Sequence, residues 1–292
     1  MDNLEKKQIT TIAAISDVHS NVYALEAVLA DIRYRDVDQI VNLGDILYGP
    51  IAPHATYELL MANRDDTITI RGNQDRQIYE ATTAEIANNP TMGFIIKDLS
   101  KKAIEWMRSL PFDFHVSEDV YLCHGSPTDD MIYLLEDIET GQPIVRNDAT
   151  ILALLDGIDN DVILCGHTHI PRTVVLSSGQ TIVNSGRVGY PAYEDDLPII
   201  HKMQTYSPHA NYALIKCIET QQGKHWQTEH VKVAYNHEAA ANMALRNGRE
   251  DWAFALKTGR VVPVRQYLKT FYSSNDSITF RLTMDFDLIE IT

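Results

Sequence analysis

Five short apolar runs in this chain, each reading as a buried strand, are followed at once by a polar cluster with Asp, Asn or His, four of the five also containing Gly. Residues 10–15 lead into Asp17-Val18-His19, residues 39–43 into Gly44-Asp45, and residues 67–71 into Gly72-Asn73-Gln74-Asp75. Residues 121–123 lead into His124-Gly125, and residues 162–165 into Gly166-His167-Thr168-His169. This pattern constrains the fold, because an open α/β sheet presents its functional side chains beyond the carboxyl ends of its strands.

Helix signals separate the first three runs. Asn21 caps a helix running to about residue 35, with Leu25, Val28, Leu29 and Ile32 spaced as one apolar stripe. Residues 53–63 form a second helix, and residues 74–110 are helix-rich up to Pro111. Strands alternating with helices predict parallel pairing and an α/β class. From there the runs at residues 114–116, 121–123, 162–165, 173–176 and 181–183 follow without helix signals between them. That grammar predicts antiparallel pairing in a second sheet packed on the first. Residues 210–218 and 226–233 form a hairpin around Gln222-Gly223.

The tail reads differently. Residues 236–247 are alanine-rich and helical, with shorter helices expected to about residue 272. Ile278, Phe280, Leu282, Met284, Phe286 and Leu288 then alternate with polar residues, the period of a strand with one buried face. The expected organisation is a main domain over residues 1–235, with a helical insert at about 74–110, and a helical extension over 236–292 ending in that strand. The strand would cap the site, or add to a sheet edge here or in a partner subunit, giving a homodimer.

Composition narrows the function classes. A chain of 292 residues that is 45% hydrophobic can bury a sizeable core. No apolar run approaches the ~20 residues that span a bilayer. The polar start, without a secretory signal, and three cysteines without metal-type spacing predict a cytoplasmic protein with no membrane partner. Cys123 and Cys165 lie in apolar runs and are expected to act as small hydrophobes. A formal charge of −15 argues against long nucleic acids as partners. Small anions remain candidates if bound cations reverse the local sign.

In an extended segment residues two apart face the same way, so Asp17 and His19 can share a target, as can His167 and His169. A lone Asp-x-His is usually a surface pair or loop cap. Five such clusters in this order form a specific signal, and together they resemble the signature of the calcineurin-like metallophosphoesterase superfamily over about residues 15–189. The segment Gly44-Asp45-Ile46-Leu47-Tyr48-Gly49-Pro50, with Asn21, resembles the bacterial branch of small phosphodiesterases. The long tail resembles, more loosely, that of diadenosine tetraphosphate hydrolases.

The resemblance implies a two-layer β-sandwich of mixed sheets flanked by helices, with two divalent metal ions at its rim. Asp17, His19 and His169 would bind one ion, Asn73, His124 and His167 the other, and Asp45 both. Imidazole and oxygen ligands together suit Mn, Fe or Zn. Two carboxylates against two divalent ions leave about +2 of local charge for a phosphate. A water acidified by the metals would attack phosphorus, with the Asn73 amide helping to hold the equatorial oxygens. The implied activity is hydrolysis of phosphodiesters or phosphoanhydrides in a small phosphorylated substrate. A nucleotide is favoured, and dinucleoside polyphosphates first.

Two positions depart from the family pattern. Many relatives carry His where this chain has Gln74, and an amide cannot serve as a general acid. Gln74 therefore points to leaving groups that need little protonation, such as nucleotide phosphates. Alternatively it bonds Asp75 while another group acts as acid. Arg187 stands in Asn184-Ser185-Gly186-Arg187, where relatives often have Asn-Pro-Gly-Ser. It would either reach substrate phosphates as a fixed charge or lie on the surface. His54, His115, His201, His209, His225, His230 and His237 fit no motif. The competing functions are a protein serine/threonine phosphatase, which lacks its acid at Gln74, and a non-catalytic scaffold, although such scaffolds usually lose ligands and all seven positions are filled here.

Overall fold

In the computed structural model, which describes residues 10–221 and 223–263, the chain opens with β1 (Thr11–Ile15), α1 (Val22–Arg33), β2 (Gln39–Asn42), α2 (Pro53–Met61) and β3 (Thr67–Thr69). The side chains of β1 alternate: Ile12 and Ala14 enter one apolar cluster, Ala13 and Ile15 another. A strand buried on both faces needs apolar residues at every position, and residues 12–15 supply them. Asn21 caps α1 by accepting the Ala24 N–H, and the predicted stripe of Leu25, Val28, Leu29 and Ile32 is buried. Four helices follow in succession, α3 (Asn73–Glu80), α4 (Thr83–Asn88), α5 (Pro90–Asp98) and α6 (Lys101–Ser109).

The next stretch contains β4 (Phe114–His115), β5 (Val120–Leu122), β6 (Glu136–Asp137), β7 (Ile144–Val145), α7 (Asp148–Leu155), β8 (Val162–Cys165), β9 (Arg172–Val175) and β10 (Thr181–Asn184). After it come β11 (Ala192–Asp195), β12 (His201–Gln204), β13 (Ala210–Thr220), β14 (Gly223–Val233), α8 (His237–Arg246) and α9 (Glu250–Thr258).

Two five-stranded mixed sheets form the sandwich, in the orders β14-β13-β1-β2-β3 and β4-β5-β8-β10-β9. Ile12, Ala14, Val41 and Leu43 from one sheet meet Leu122, Val162, Leu164 and Val183 from the other in the central layer. Beyond the first sheet, Ala13 and Ile15 pack with α1, α2, α5 and α6; beyond the second, Ile163 and Cys165 pack with Ile151 and Leu155 of α7. The three cysteines are buried and free.

The expected antiparallel pairing of the second sheet holds only at its edges. β5 pairs parallel with β8, and β8 with β10. The reason is the connection after β5, where α7 carries the chain back as a crossover, and a parallel pair requires one. Its sequence, DATILALL, is apolar nearly all round rather than on one stripe, so periodicity does not expose it. The β6–β7 and β11–β12 pairs were likewise not anticipated.

The described residues up to Val261 form one compact unit. Ala240, Ala241 and Ala244 of α8 and Trp252 and Leu256 of α9 pack on Ile51, against Tyr23, Tyr48 and Tyr190. The alternating strand expected at residues 278–288 lies outside the described residues. Among the described residues no helix is long and apolar enough to cross a membrane.

Leu25 is fully buried between α1 and the first sheet. Leu25→Ala should lower unfolding stability by about 2–5 kcal/mol, read as an earlier urea midpoint with unchanged slope.

Candidate metal centre

The segments that leave β1 and β2 lie side by side and bond through their backbones. The Asp17 N–H donates to Gly44 O (2.9 Å), His19 N–H to Asp45 O (3.0 Å) and Ser20 N–H to Ile46 O (2.9 Å). To do so, Asp17, His19, Ser20 and Asp45 adopt positive φ, as do His167 and His169 after β8. Non-glycine residues rarely hold that conformation, and its concentration at one place is typical of functional sites. Gly44 has φ +99°, and Gly72 approaches so closely that a Cβ there would overlap the Asp45 carboxylate. Asp75, in the first turn of α3, fixes the second segment: its carboxylate accepts the N–H groups of Asp45, Ile46 and Gly72, each at 2.9 Å.

Two ligand-like groups result, Asp17 with His19 and His169, and Asp45 with His124 and His167, all buried. Asp17 and His19 meet in one group. His167 and His169 do not share a target as their spacing predicted: His169 joins Asp17 and His19, and His167 joins Asp45 and His124. Asp17 Oδ1 lies 3.2 Å from His169 Nε2 and 3.8 Å from His19 Nε2. Asp45 Oδ2 lies 3.5 Å from His124 Nε2 and 4.0 Å from His19 Nε2, between the groups. Asn73 brings Oδ1 to 3.0 Å from His124 Nε2.

The donor chemistry fits cations. A carbonyl only accepts, so each imidazole nitrogen bonded to one carries the proton. His19 Nδ1–H donates to Tyr48 O (3.0 Å), His169 Nδ1–H to Tyr190 O (2.7 Å) and His124 Nδ1–H to Leu43 O (2.8 Å). His167 Nε2–H donates to Met131 O (3.1 Å). The opposite nitrogens then face inward, each offering a lone pair when its ring is neutral, and metal-bound histidines are oriented in this way. Without a cation, the lone pairs of His19 Nε2 and His169 Nε2 would face each other at 3.0 Å, and the buried Asp17 Oδ1 has no hydrogen-bond partner. Both features are unfavourable unless positive charge lies between them.

Burial, with His169 adding to it, holds His19 down to about 4; burial, with His124 adding to it, does the same to His167. Burial also pulls His124 down, but the facing Asp45 carboxylate outweighs it and lifts the ring to about 10. Burial and the charge of Asp45 push Asp75 up to about 7.

A cleft of about 760 Å³ opens over the two groups. Gln74 lines it, with its backbone N–H on Asp45 Oδ1 (2.9 Å). Arg187 does not reach the cleft. It is buried, with its guanidinium bonded to Asn211, Thr205 and the Ser207 carbonyl, and it braces β13 instead of meeting substrate. The cleft's arginines are Arg146 and Arg249, flanked by Tyr48, Tyr190, Tyr193 and Trp252. Sequence reasoning assigned none of the six to the site: Tyr48 lies in a quoted motif but received no role, and the other five sit in no motif and come from separate parts of the chain. His201, which fits no motif, is buried behind this wall with Nε2 2.9 Å from the Tyr133 hydroxyl.

The sequence matches the calcineurin-like phosphoesterase superfamily domain over residues 11–205. The chain belongs to that superfamily. It is a metal-dependent phosphoesterase. A curated relative, an uncharacterized protein of Methanocaldococcus jannaschii, is 27% identical over 257 residues, covering 82% of this chain and 94% of its own. The crystal structure of a metallophosphoesterase from Sphaerobacter thermophilus superposes with a TM-score of 0.63 at 25% identity, covering 85% of this chain and 99% of the other. The family match ends before α8 and α9, which contribute Arg249 and Trp252 to the cleft.

His124 is charged at neutral pH in the metal-free protein, whereas His19 and His167 are neutral. A ligand must be deprotonated to bind metal, so loading the Asp45 group should release about one proton at pH 7. Affinity at that group should rise with pH up to about 10, where His124 loses its proton unaided. Calorimetric Mn²⁺ titrations in two buffers of different ionisation enthalpy measure the release; identical heats would contradict it.

Proposed function

We propose that the enzyme holds two divalent ions, Mn, Fe or Zn, one at each group, and hydrolyses phosphodiester or phosphoanhydride bonds of nucleotides. The observation that carries the two-ion reading is the position of Asp45 Oδ2 between His124 and His19, within 4.0 Å of both ring nitrogens. When bound, such ions supply Lewis-acid charge and a water acidic enough to act near neutral pH.

The chain's own residues do the rest. Asp17 and Asp45 offset part of the metal charge and keep the surplus positive, which draws a phosphate into a protein of net charge −15. Asn73 directs its carbonyl oxygen toward the His124 side, so its NH₂ group remains as a donor for a phosphate oxygen. Arg146 and Arg249 stand along the cleft as fixed charges, suited to further phosphates of an extended substrate. The aromatic and aliphatic walls, with Tyr48, Tyr193 and Met131, suit a nucleobase.

Gln74 selects among leaving groups. Asp75 is engaged by three backbone N–H groups and not by the Gln74 amide, whose buried Oε1 has no hydrogen-bond partner. Since an amide has no proton to give at neutral pH, the favoured substrates are those whose leaving group departs as a stable anion, dinucleoside polyphosphates first. The same argument weighs against a protein serine/threonine phosphatase, whose alkoxide leaving group needs an acid. A scaffold without catalysis fits poorly with seven filled ligand positions. Three buried free thiols suit a reducing compartment, and the cytoplasm is the proposed location.

A hydrolysis panel with Mn²⁺ tests this reading, spanning dinucleoside polyphosphates, cyclic nucleotides, bis-p-nitrophenyl phosphate and phosphopeptides. Polyphosphates and the aryl diester should turn over, with phosphopeptides about 10²-fold slower or worse, the usual contribution of a missing general acid. Gln74→His should narrow that gap by accelerating alkyl esters alone. Phosphopeptides as the best substrates of the unmodified enzyme would overturn the assignment.

A further inference from the structure

The two metal-ligand groups are not held alike. In the group of Asp17, His19 and His169, the carbonyls that orient the imidazoles belong to Tyr48 and Tyr190. Both of those stretches of chain are gripped by α8 and α9. Asn247, which ends α8, donates its Nδ2–H to Pro50 O at 2.7 Å, two residues beyond Tyr48. Trp252 of α9 lies flat on Tyr190, with ring centroids 3.6 Å apart and planes within 5°. It also meets the His19 ring edge-on at 6.0 Å.

Trp252 is only 3% exposed, so it backs the ligands rather than offering a face to substrate. Arg249 lies over its ring at 5.7 Å and bonds Asp251 and Thr91, tying α9 to α5. In the second group the orienting carbonyls come from Leu43 and Met131. Among the described residues, no hydrogen bond or ring contact joins α8 or α9 to Leu43, Met131, His124 or His167.

We propose that α8 and α9 are a positioning device for one ion of the pair. Asn247 and Trp252 hold Tyr48 and Tyr190 so that His19 and His169 present Nε2 to the ion at Asp17. The ion at Asp45, His124 and His167 does not depend on them. This rests on the two-ion reading above and adds that the ions differ in what retains them. The physical basis is that a metal-bound imidazole is only as well aimed as the acceptor of its other N–H. Trp252 fixes the Tyr190 ring, hence the backbone from which its carbonyl projects; Asn247 does the same for the segment carrying Tyr48.

The test uses the full chain and counts metal. Desalted wild-type protein, Trp252→Ala, Trp252→Phe and Asn247→Ala are assayed for bound Mn²⁺ by elemental analysis and for affinity by calorimetry. Circular dichroism establishes that each is folded. The wild type should hold two ions. Trp252→Ala and Asn247→Ala should weaken one class of site by about 10–100-fold, the usual loss when an outer partner of a ligand is removed, and leave the other unchanged. Trp252→Phe, which keeps a flat ring on Tyr190, should restore most of the loss.

Two reference backgrounds assign the sites. Trp252→Ala should remove nothing further from His19→Ala, but should strip the remaining ion from His124→Ala. Equal weakening of both classes, or of neither, in folded Trp252→Ala and Asn247→Ala would overturn the proposal. If Trp252→Ala does not fold, Asn247→Ala decides by the same readings, since it removes one hydrogen bond and no core volume. A wild type that binds a single ion would overturn the two-ion reading itself, an outcome distinct from unselective loss by the variants.

Discussion

The site depends on the pairing of two loop segments, residues 17–20 and 44–46, through three backbone hydrogen bonds. Neither segment is in regular structure, and four of their non-glycine residues hold positive φ. Such conformations cost of order 1–3 kcal/mol each and persist only where the surroundings over-determine them. Here the surroundings are two parallel strands that deliver both segments to the same rim, and a buried carboxylate that ties one of them down. Asp75 accepts three N–H groups from the second segment and its neighbour, which places a positioning residue outside the ligand set.

Electrostatics follows from that geometry. Asp17 and Asp45 are buried within a few ångströms of four imidazoles, each of which spends one nitrogen on a backbone carbonyl. Around Asp17 the remaining lone pairs and carboxylate oxygens converge with no proton of their own to separate them, whereas at Asp45 the His124 ring supplies one; the first arrangement is costly in isolation. A divalent ion at each group, as proposed, would remove that cost and leave the surplus charge that a phosphate needs. The acidic exterior and the cationic site are thus compatible, because the charge that matters is local.

Much of this was legible in the residues. Ile12 to Ile15, Val41 and Leu164 could be recognised as strand interiors, and the polar clusters behind them as rim residues, because a short apolar run and a glycine beside a carboxylate are local properties. The parallel pairing of β5 with β8 was not legible, since α7 lacks the one-sided stripe that announces a surface helix. Arg187 misled for a related reason. A charged residue after a loop motif looks like a substrate ligand, yet its partners, Asn211 and Ser207, lie 20 and more positions away and take it into the interior. Asp17-x-His19 and His167-x-His169 share a spacing and positive φ, yet only the first pair shares a target, so the spacing rule does not decide the grouping.

Chemical identity along the chain decided which atoms could bind metal and which acid was absent. Asp17, His19, Asp45, Asn73, His124, His167 and His169 carry the donors, and Gln74 carries no proton to give, whatever the fold around them. Only the folded chain decided how those donors divide into two groups, which nitrogen of each ring faces inward, and that Arg146, Arg249 and Trp252 share the cleft with them. The difference is one of range. Donor type and the apolar runs are set within a few residues, whereas tautomer, grouping and cleft lining depend on carbonyls 21 to 81 positions away and on rings farther off still, as Trp252 is from His19.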